Sequence, residues 1–348
     1  MTRVVLAGRG GPQPEGRLPT DAELDEASAL GSRPYARDLS PVSVRREPSL
    51  DARAGGARVW IADETKQVTG SFKVRGALFA LSRLAARGSR EVVVVSAGNH
   101  GAGVSFAARA LGVRATVYVP ETAPEKKRDR IRAHGAEIVV VPTKSYDEAE
   151  SFALAAARER GAPFLSPYDD HDVVLGNGAS LGFEIARALG GAPAALVAPF
   201  GGGGLATGLA WALRRVAGDG PSAARRVWGA QSEASPAMAE SLARGEAFTS
   251  WASAETVAEG LEGGISAPAF ERARAAVAGV VVVSEEAIVR AMRHAVRELG
   301  VVAEGSAAAA LAPLLEGLPP EITGAAPADV VVVLTGGNVD PARLAALG

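Results

Sequence analysis

Hydrophobic and polar positions along the chain alternate between two periods. Short β-branched runs at 92–95, 115–119 and 137–141 have the length and the bounded ends of buried strands, and the brief apolar stretch 163–165 reads as a fourth. Helical spacing of apolar residues runs over 101–111, 124–134 and 146–160, with Pro124 in a favourable first-turn position and Gly135 as a stop. Downstream, strands are predicted at 195–198, 227–230, 280–283 and 330–334. Helices are predicted at 205–216, at 285–299 behind Ser284 as N-cap, and at 306–315. Short apolar strands alternating with helices predict an α/β fold of doubly wound parallel sheets, covered on both faces. The strands before Leu165 and those after Ala195 form two lobes. In such sheets a ligand sits beyond the carboxyl ends of the strands, which singles out the loops 96–100, 201–204 and 335–338.

Composition narrows the function classes. A chain of 348 residues suits one or two domains, and 47% hydrophobic with 22% charged residues is ordinary for a globular protein. A formal net charge of −2 and 5% aromatic residues give neither an electrostatic nor a stacking case for nucleic acid or an anionic membrane. A small-molecule partner is expected instead. The absence of cysteine excludes disulfides, thiolate metal sites and cysteine nucleophiles. No apolar run approaches the ~18 residues that span a bilayer. The N-terminus lacks the apolar core and cleavage pattern of a secretory signal, so a cytoplasmic protein is expected. Residues 1–20, rich in Gly, Pro and Arg, are expected to form a loose tail.

Four segments carry candidate chemistry. In Thr69-Gly70-Ser71-Phe72-Lys73-Val74-Arg75-Gly76-Ala77, a lysine follows a Gly-Ser turn near the positive end of a new helix, which favours a neutral, nucleophilic amine. Taken alone, Lys73 reads as a surface lysine far more readily than as a catalytic one. Gly201, Gly202, Gly203 and Gly204, between a buried strand and a helix, allow successive N–H groups to converge on one anion. The lysine and hydroxyl of a nucleotide P-loop are missing, so a lone monophosphate fits better, with a ligand-free flexible turn as the alternative. Ser96-Ala97-Gly98-Asn99-His100-Gly101 ends a strand and opens a helix, and its N–H groups suit a carboxylate or simply an Asn-capped turn. Leu334-Thr335-Gly336-Gly337-Asn338 is either a plain turn or a hydroxyl presented at the sheet's edge.

These four segments, in this order, resemble the fold-type II pyridoxal-phosphate enzymes, and among them the serine/threonine dehydratase (threonine ammonia-lyase) family, over roughly residues 35–340. The resemblance implies two doubly wound parallel-sheet domains, arranged as in the tryptophan synthase β-subunit, with the cofactor in the cleft between them. Residues 21–88 and 166–348 would make the large cofactor-binding domain, and 89–165 a small mobile one. Pyridoxal 5′-phosphate would be held as a Schiff base on Lys73, which also removes the substrate's Cα proton. Phe72 would pack near the ring, Asn99 would donate to its phenolic oxygen, and Gly201 to Gly204 with the N–H of Leu205 would hold the phosphate. Ser71, Ser96, Gly98, Asn99 and His100 would receive the substrate carboxylate, and Thr335 would face the pyridine nitrogen. A neutral hydroxyl there cannot keep the ring protonated, which favours prompt loss of a leaving group from Cβ over a long-lived carbanion. The implied reaction converts a β-hydroxy amino acid such as threonine or serine to a 2-oxo acid and ammonia, in a homodimer.

Several residues depart from the family's pattern. Ala97 stands where racemases place a second serine, so racemisation is not expected. His100 points away from the cysteine synthase branch. Ala62-Asp63-Glu64 leans toward threonine synthases and diaminopropionate lyases, which leaves β-replacement or such a lyase as the alternative activity. Gln231 and Ala237 occupy positions where racemase-like members carry metal-binding carboxylates, so no metal is expected. Glu304 matches a position near the active site, with a helix-start carboxylate as the equal alternative, and no regulatory module is expected beyond Gly348.

Overall fold

The computed structural model describes residues 2–8, 17–218, 225–323 and 328–346. Ten strands form two sheets. They are β1 (Arg3–Leu6), β2 (Ser43–Arg46), β3 (Arg58–Asp63), β4 (Glu91–Val95), β5 (Arg114–Pro120), β6 (Glu137–Val141), β7 (Ala195–Pro199), β8 (Val227–Ser232), β9 (Gly279–Val283) and β10 (Asp329–Leu334). The larger sheet runs β1-β9-β8-β7-β10-β3-β2, and the smaller runs β4-β5-β6. All pairings are parallel except the two edges, where β1 meets β9 and β2 meets β3 antiparallel. The stretch 163–165 contributes a single parallel bridge from Phe164 to Val93 rather than a strand.

The runs of β4 and β10 bury both faces, because successive side chains point to opposite sides of a strand. The run 137–141, expected to be buried, is instead the edge strand β6 and is fully buried only at Val141. Val92 and Val94 pack with helices Lys73–Ala86 and Asn99–Leu111, whereas Val93 and Val95 pack under helix Tyr146–Arg160. The same alternation holds in the larger sheet. Val330, Val332 and Leu334 face the helix Glu285–Arg297, and Val331 and Val333 face the side covered by helices Ser180–Leu189 and Gly204–Ala217. Ser284 caps its helix as expected, accepting from Ala287 N–H at 3.2 Å.

The expected loose tail needs correction. Arg3–Leu6 register against Val282–Gly279 as an edge strand, and Thr20 opens helix Asp21–Ser28 with a reciprocal capping box to Glu23. The exposed edge of β9 offered unpaired backbone groups, and the apolar start of the chain satisfies them. Residues 9–16 of that tail lie outside the described residues. Two lysines of the basic run 126–128 carry ion pairs between the lobes. Lys127 donates to Glu259 at 2.6 Å and Lys126 to Asp340 at 3.3 Å, joining the smaller sheet's helix Glu125–Ala133 to the larger lobe. Among the described residues no helix is long and apolar enough to cross a membrane.

Candidate active site

The turn 69–73 and the turn after β10 are stitched together at the carboxyl edge of the larger sheet. Phe72 N–H donates to the Thr335 carbonyl at 2.9 Å, Gly337 N–H to the Gly70 carbonyl at 2.9 Å, and Asn338 Nδ2 to the Thr69 carbonyl at 3.0 Å. The sequence allows this close approach. Gly70 has φ 74°, and a Cβ there would lie 2.3 Å from Asn338 Oδ1. Lys73 is the first residue of its helix, Lys73–Ala86.

A buried ion-pair network holds that helix start. The Arg75 guanidinium donates twice to Glu64, at 2.7 and 2.8 Å, and twice to Glu184, at 2.8 and 2.9 Å. The Arg75 and Glu64 side chains are wholly buried. Val42 N–H and Gln67 Nε2 supply further donors to the two carboxylates. Gly76 N–H donates to Asn177 Oδ1 at 2.9 Å, and a Cβ at Gly76 would collide with that amide. The Arg-Gly of the lysine motif thus anchors the helix that carries the amine.

Lys73 Nζ donates to the Pro167 carbonyl at 3.0 Å and lies 5.2 Å from the centre of the Phe72 ring. Burial lowers its pKa to about 8, against the opposing pull of Glu304. The next residue, Tyr168, lies against the glycine loop, because a Cβ at Gly202 would be 2.3 Å from its Cγ. Gly203 adopts φ 85° and opens the 14-residue helix Gly204–Ala217, whose first turn includes the buried Leu205. The first N–H groups of a helix have no partner within it, and such an end suits an anion.

On the other side, Gly98 caps helix Asn99–Leu111, and Ser96 Oγ accepts from Gly98 N–H at 3.1 Å. Asn99 Nδ2 donates to Glu304 Oε1 at 2.7 Å, and Asn99 Oδ1 accepts from Asn338 Nδ2 at 2.7 Å. Burial raises the Glu304 pKa to about 7 despite the bond from Asn99. Burial, with the Lys73 charge nearby, lowers His100 to about 3, so its imidazole is neutral at pH 7. Its Nε2 contacts the Leu165 carbonyl at 3.1 Å and must carry the single ring proton. The remaining Nδ1 is then an acceptor. The neutral ring thus offers a carboxylate no positive charge, and the backbone N–H of His100 is the group left to meet one.

Lys73, Phe72, Ser71 and Thr335 are thus brought together directly, and Asn99 reaches them through Asn338 and Glu304. The glycine loop joins them through Pro167 and Tyr168, which the sequence reading passed over, and the Ser96–His100 turn joins them through Asn99. The one signal for 167–168 was the apolar end of 163–165 running into Ser-Pro-Tyr-Asp-Asp. The donor set fits a phosphorylated aldehyde. A partly buried amine with depressed pKa suits imine formation, a glycine-rich helix start suits a phosphate, and the fully buried Ser71 Oγ has no partner among the described residues.

Comparison with known proteins agrees. The family model for pyridoxal-phosphate dependent enzymes matches residues 38–336. The chain is a pyridoxal-phosphate dependent enzyme. The enzyme is 36% identical over 289 residues to an L-threonine ammonia-lyase of Geobacter sulfurreducens, covering 82% of this chain and 68% of that one. It is 33% identical over 327 residues to a catabolic L-threonine dehydratase of Staphylococcus aureus strain N315, covering 91% and 90%. Its fold superposes on processed threonine deaminase isoform 2 from Solanum lycopersicum with a TM-score of 0.81 at 27% identity, covering 99% and 97%. The α/β architecture and the cofactor class read from the sequence therefore hold for this enzyme.

Proposed function

We propose that the enzyme is an ammonia-lyase that eliminates water from a β-hydroxy amino acid of the threonine or serine class and takes one water back as the resulting enamine is hydrolysed, giving a 2-oxo acid and ammonia. The observation that carries this reading is the amine of Lys73, depressed toward neutrality and set between two turns rich in N–H donors. Bound pyridoxal 5′-phosphate supplies the electron sink for charge developing at Cα. The chain supplies the rest. Helix Gly204–Ala217, with Gly201 to Gly204 ahead of it, holds the phosphate. Ser71, Ser96 and the N–H groups of Gly98, Asn99 and His100 orient the substrate carboxylate. Lys73, as the neutral amine, takes the Cα proton as hydroxide leaves Cβ. Thr335 offers the ring nitrogen a neutral hydroxyl, which favours elimination over a stored carbanion. The names of the related proteins support the same substrate class.

Two further features belong to this reading. Residues 89–165 form a small domain that closes on the larger one, made of 21–88 and 166–348, and the working form is a cytoplasmic homodimer. The alternative, β-replacement or a threonine synthase-like or diaminopropionate lyase-like reaction, rests on Asp63-Glu64 alone. Glu64 pairs with Arg75 rather than facing the amine, which weakens that case. Incubating the holoenzyme with L-threonine or L-serine tests the proposal, with a 2-oxo acid and ammonia expected in equal amounts. Failure with every β-hydroxy amino acid would refute it. A new amino acid formed only when a nucleophile is added would favour the alternative.

A further inference from the structure

The amide of Asn99 is gripped from both sides by residues to which the reaction assigns no role. The sense of the grip follows from one unambiguous acceptor. The Thr69 backbone carbonyl can only accept, so the group of Asn338 facing it, 3.0 Å away, must be the amide nitrogen. That same nitrogen reaches Asn99 at 2.7 Å, so Asn99 must present its oxygen there. The Asn99 nitrogen is then turned to Glu304, whose carboxyl oxygen accepts at 2.7 Å. One N–H of Asn99 is thereby used, and one is left over.

Glu304 is itself held in place. Its backbone N–H donates to the Gly336 carbonyl at 2.9 Å, and a Cβ at Gly336 would come 2.5 Å from Glu304 Oε1 and 3.1 Å from Ser71 Cβ. The glycine after Thr335 therefore makes room for the carboxyl group. We propose that Glu304 and Asn338 are positioning residues that clamp the Asn99 amide in one orientation, so that its free N–H meets the phenolic oxygen of the bound coenzyme. This rests on the role given to Asn99 above.

Three substitutions separate the clamp from a structural role. Glu304→Gln keeps an acceptor for Asn99, whereas Glu304→Leu removes it. Asn338→Asp turns a donor into an acceptor beside the Thr69 carbonyl and forces the Asn99 amide to flip. The readouts are the position of the visible absorption band of the holoenzyme, the dissociation constant for pyridoxal 5′-phosphate, and the melting temperature of the coenzyme-free protein. Glu304→Gln is expected to keep the parental band and an affinity within about twofold. Glu304→Leu and Asn338→Asp are expected to shift the band and weaken coenzyme binding about tenfold, the scale of one lost hydrogen bond. Parental band and affinity in both of those variants would overturn the clamp, as would a fall confined to the melting temperature. Asn99→Ala distinguishes the two levels of argument. If it too leaves the band unmoved, the role of Asn99 fails; if it shifts the band while the clamp variants do not, only the clamp fails.

Discussion

Replacing Arg75 with methionine tests the claim that a buried ion-pair network fixes the start of the lysine-bearing helix. Methionine fills much of the same volume but removes four charge-assisted hydrogen bonds of 2.7 to 2.9 Å. It leaves the Glu64 and Glu184 carboxyls facing each other in the interior with no cation between them. Removing one partner of such a buried pair costs about 3–5 kcal/mol. A folded domain has only about 5–15 kcal/mol in total, so the loss is a large share of it. Urea unfolding of coenzyme-free protein, followed by tryptophan fluorescence, measures the change. The triple variant Arg75→Met, Glu64→Gln, Glu184→Gln removes every charge and should recover much of the loss, because uncharged groups are cheaper to bury unpaired. Acid gives a second check. Burial pushes the Glu64 carboxyl above its usual 4.5, and the push grows once the guanidinium is gone. A carboxyl whose pKa is higher folded than unfolded loses stability as pH rises through that window. The Arg75→Met deficit should therefore be small near pH 4.5 and grow toward neutrality. A deficit below about 1 kcal/mol at pH 7, or one independent of pH, would refute the reasoning.

Three other outcomes are expected. The rate at which coenzyme-free enzyme captures pyridoxal 5′-phosphate should rise about tenfold from pH 7 to 9 and level off, because Lys73 loses its proton near pH 8; stopped-flow absorbance showing a continued tenfold rise per unit above pH 9 would mean an ordinary exposed lysine. Gly202→Ala should displace the Tyr168 ring and weaken coenzyme binding by tenfold or more, read by equilibrium dialysis, since its Cβ would sit 2.3 Å from Tyr168 Cγ. Ala97→Ser places a hydroxyl in the 96–100 turn and should raise the conversion of L-serine to D-serine at least tenfold, measured by chiral chromatography. Equal D-serine formation in parent and variant would refute the expectation that Ala97 is what disfavours racemisation.

Much of this architecture was legible in the chain because strands buried on both faces need continuous β-branched runs. The runs at β4, β9 and β10 announced themselves in that way. The edge strands did not. β1 and β2 are short and half-exposed, and their sequences make sense as strands only beside β9 and β3. Pro163–Leu165 misled for the converse reason, since an apolar triplet was read as a strand where a single bridge to Val93 sufficed. Within the site, Lys73 and the glycine loop were visible through the resemblance of their motifs, taken together, to the family's. Pro167 and Tyr168 were not, because a backbone carbonyl and a ring packed on glycine leave no motif. Glu304 stayed undecided until its distance to Asn99 was known.

The sequence by itself determined the order of elements, the family and the chemical groups available, because these depend on local periodicity and on residue types close together along the chain. Only the tertiary structure decided which groups meet. Asn99 and Glu304 are 205 positions apart, and Lys73 and Pro167 are 94 apart. Whether a lysine is a solvated cation or a near-neutral amine, and which way an amide faces, depends on burial and on neighbours that folding brings from distant segments.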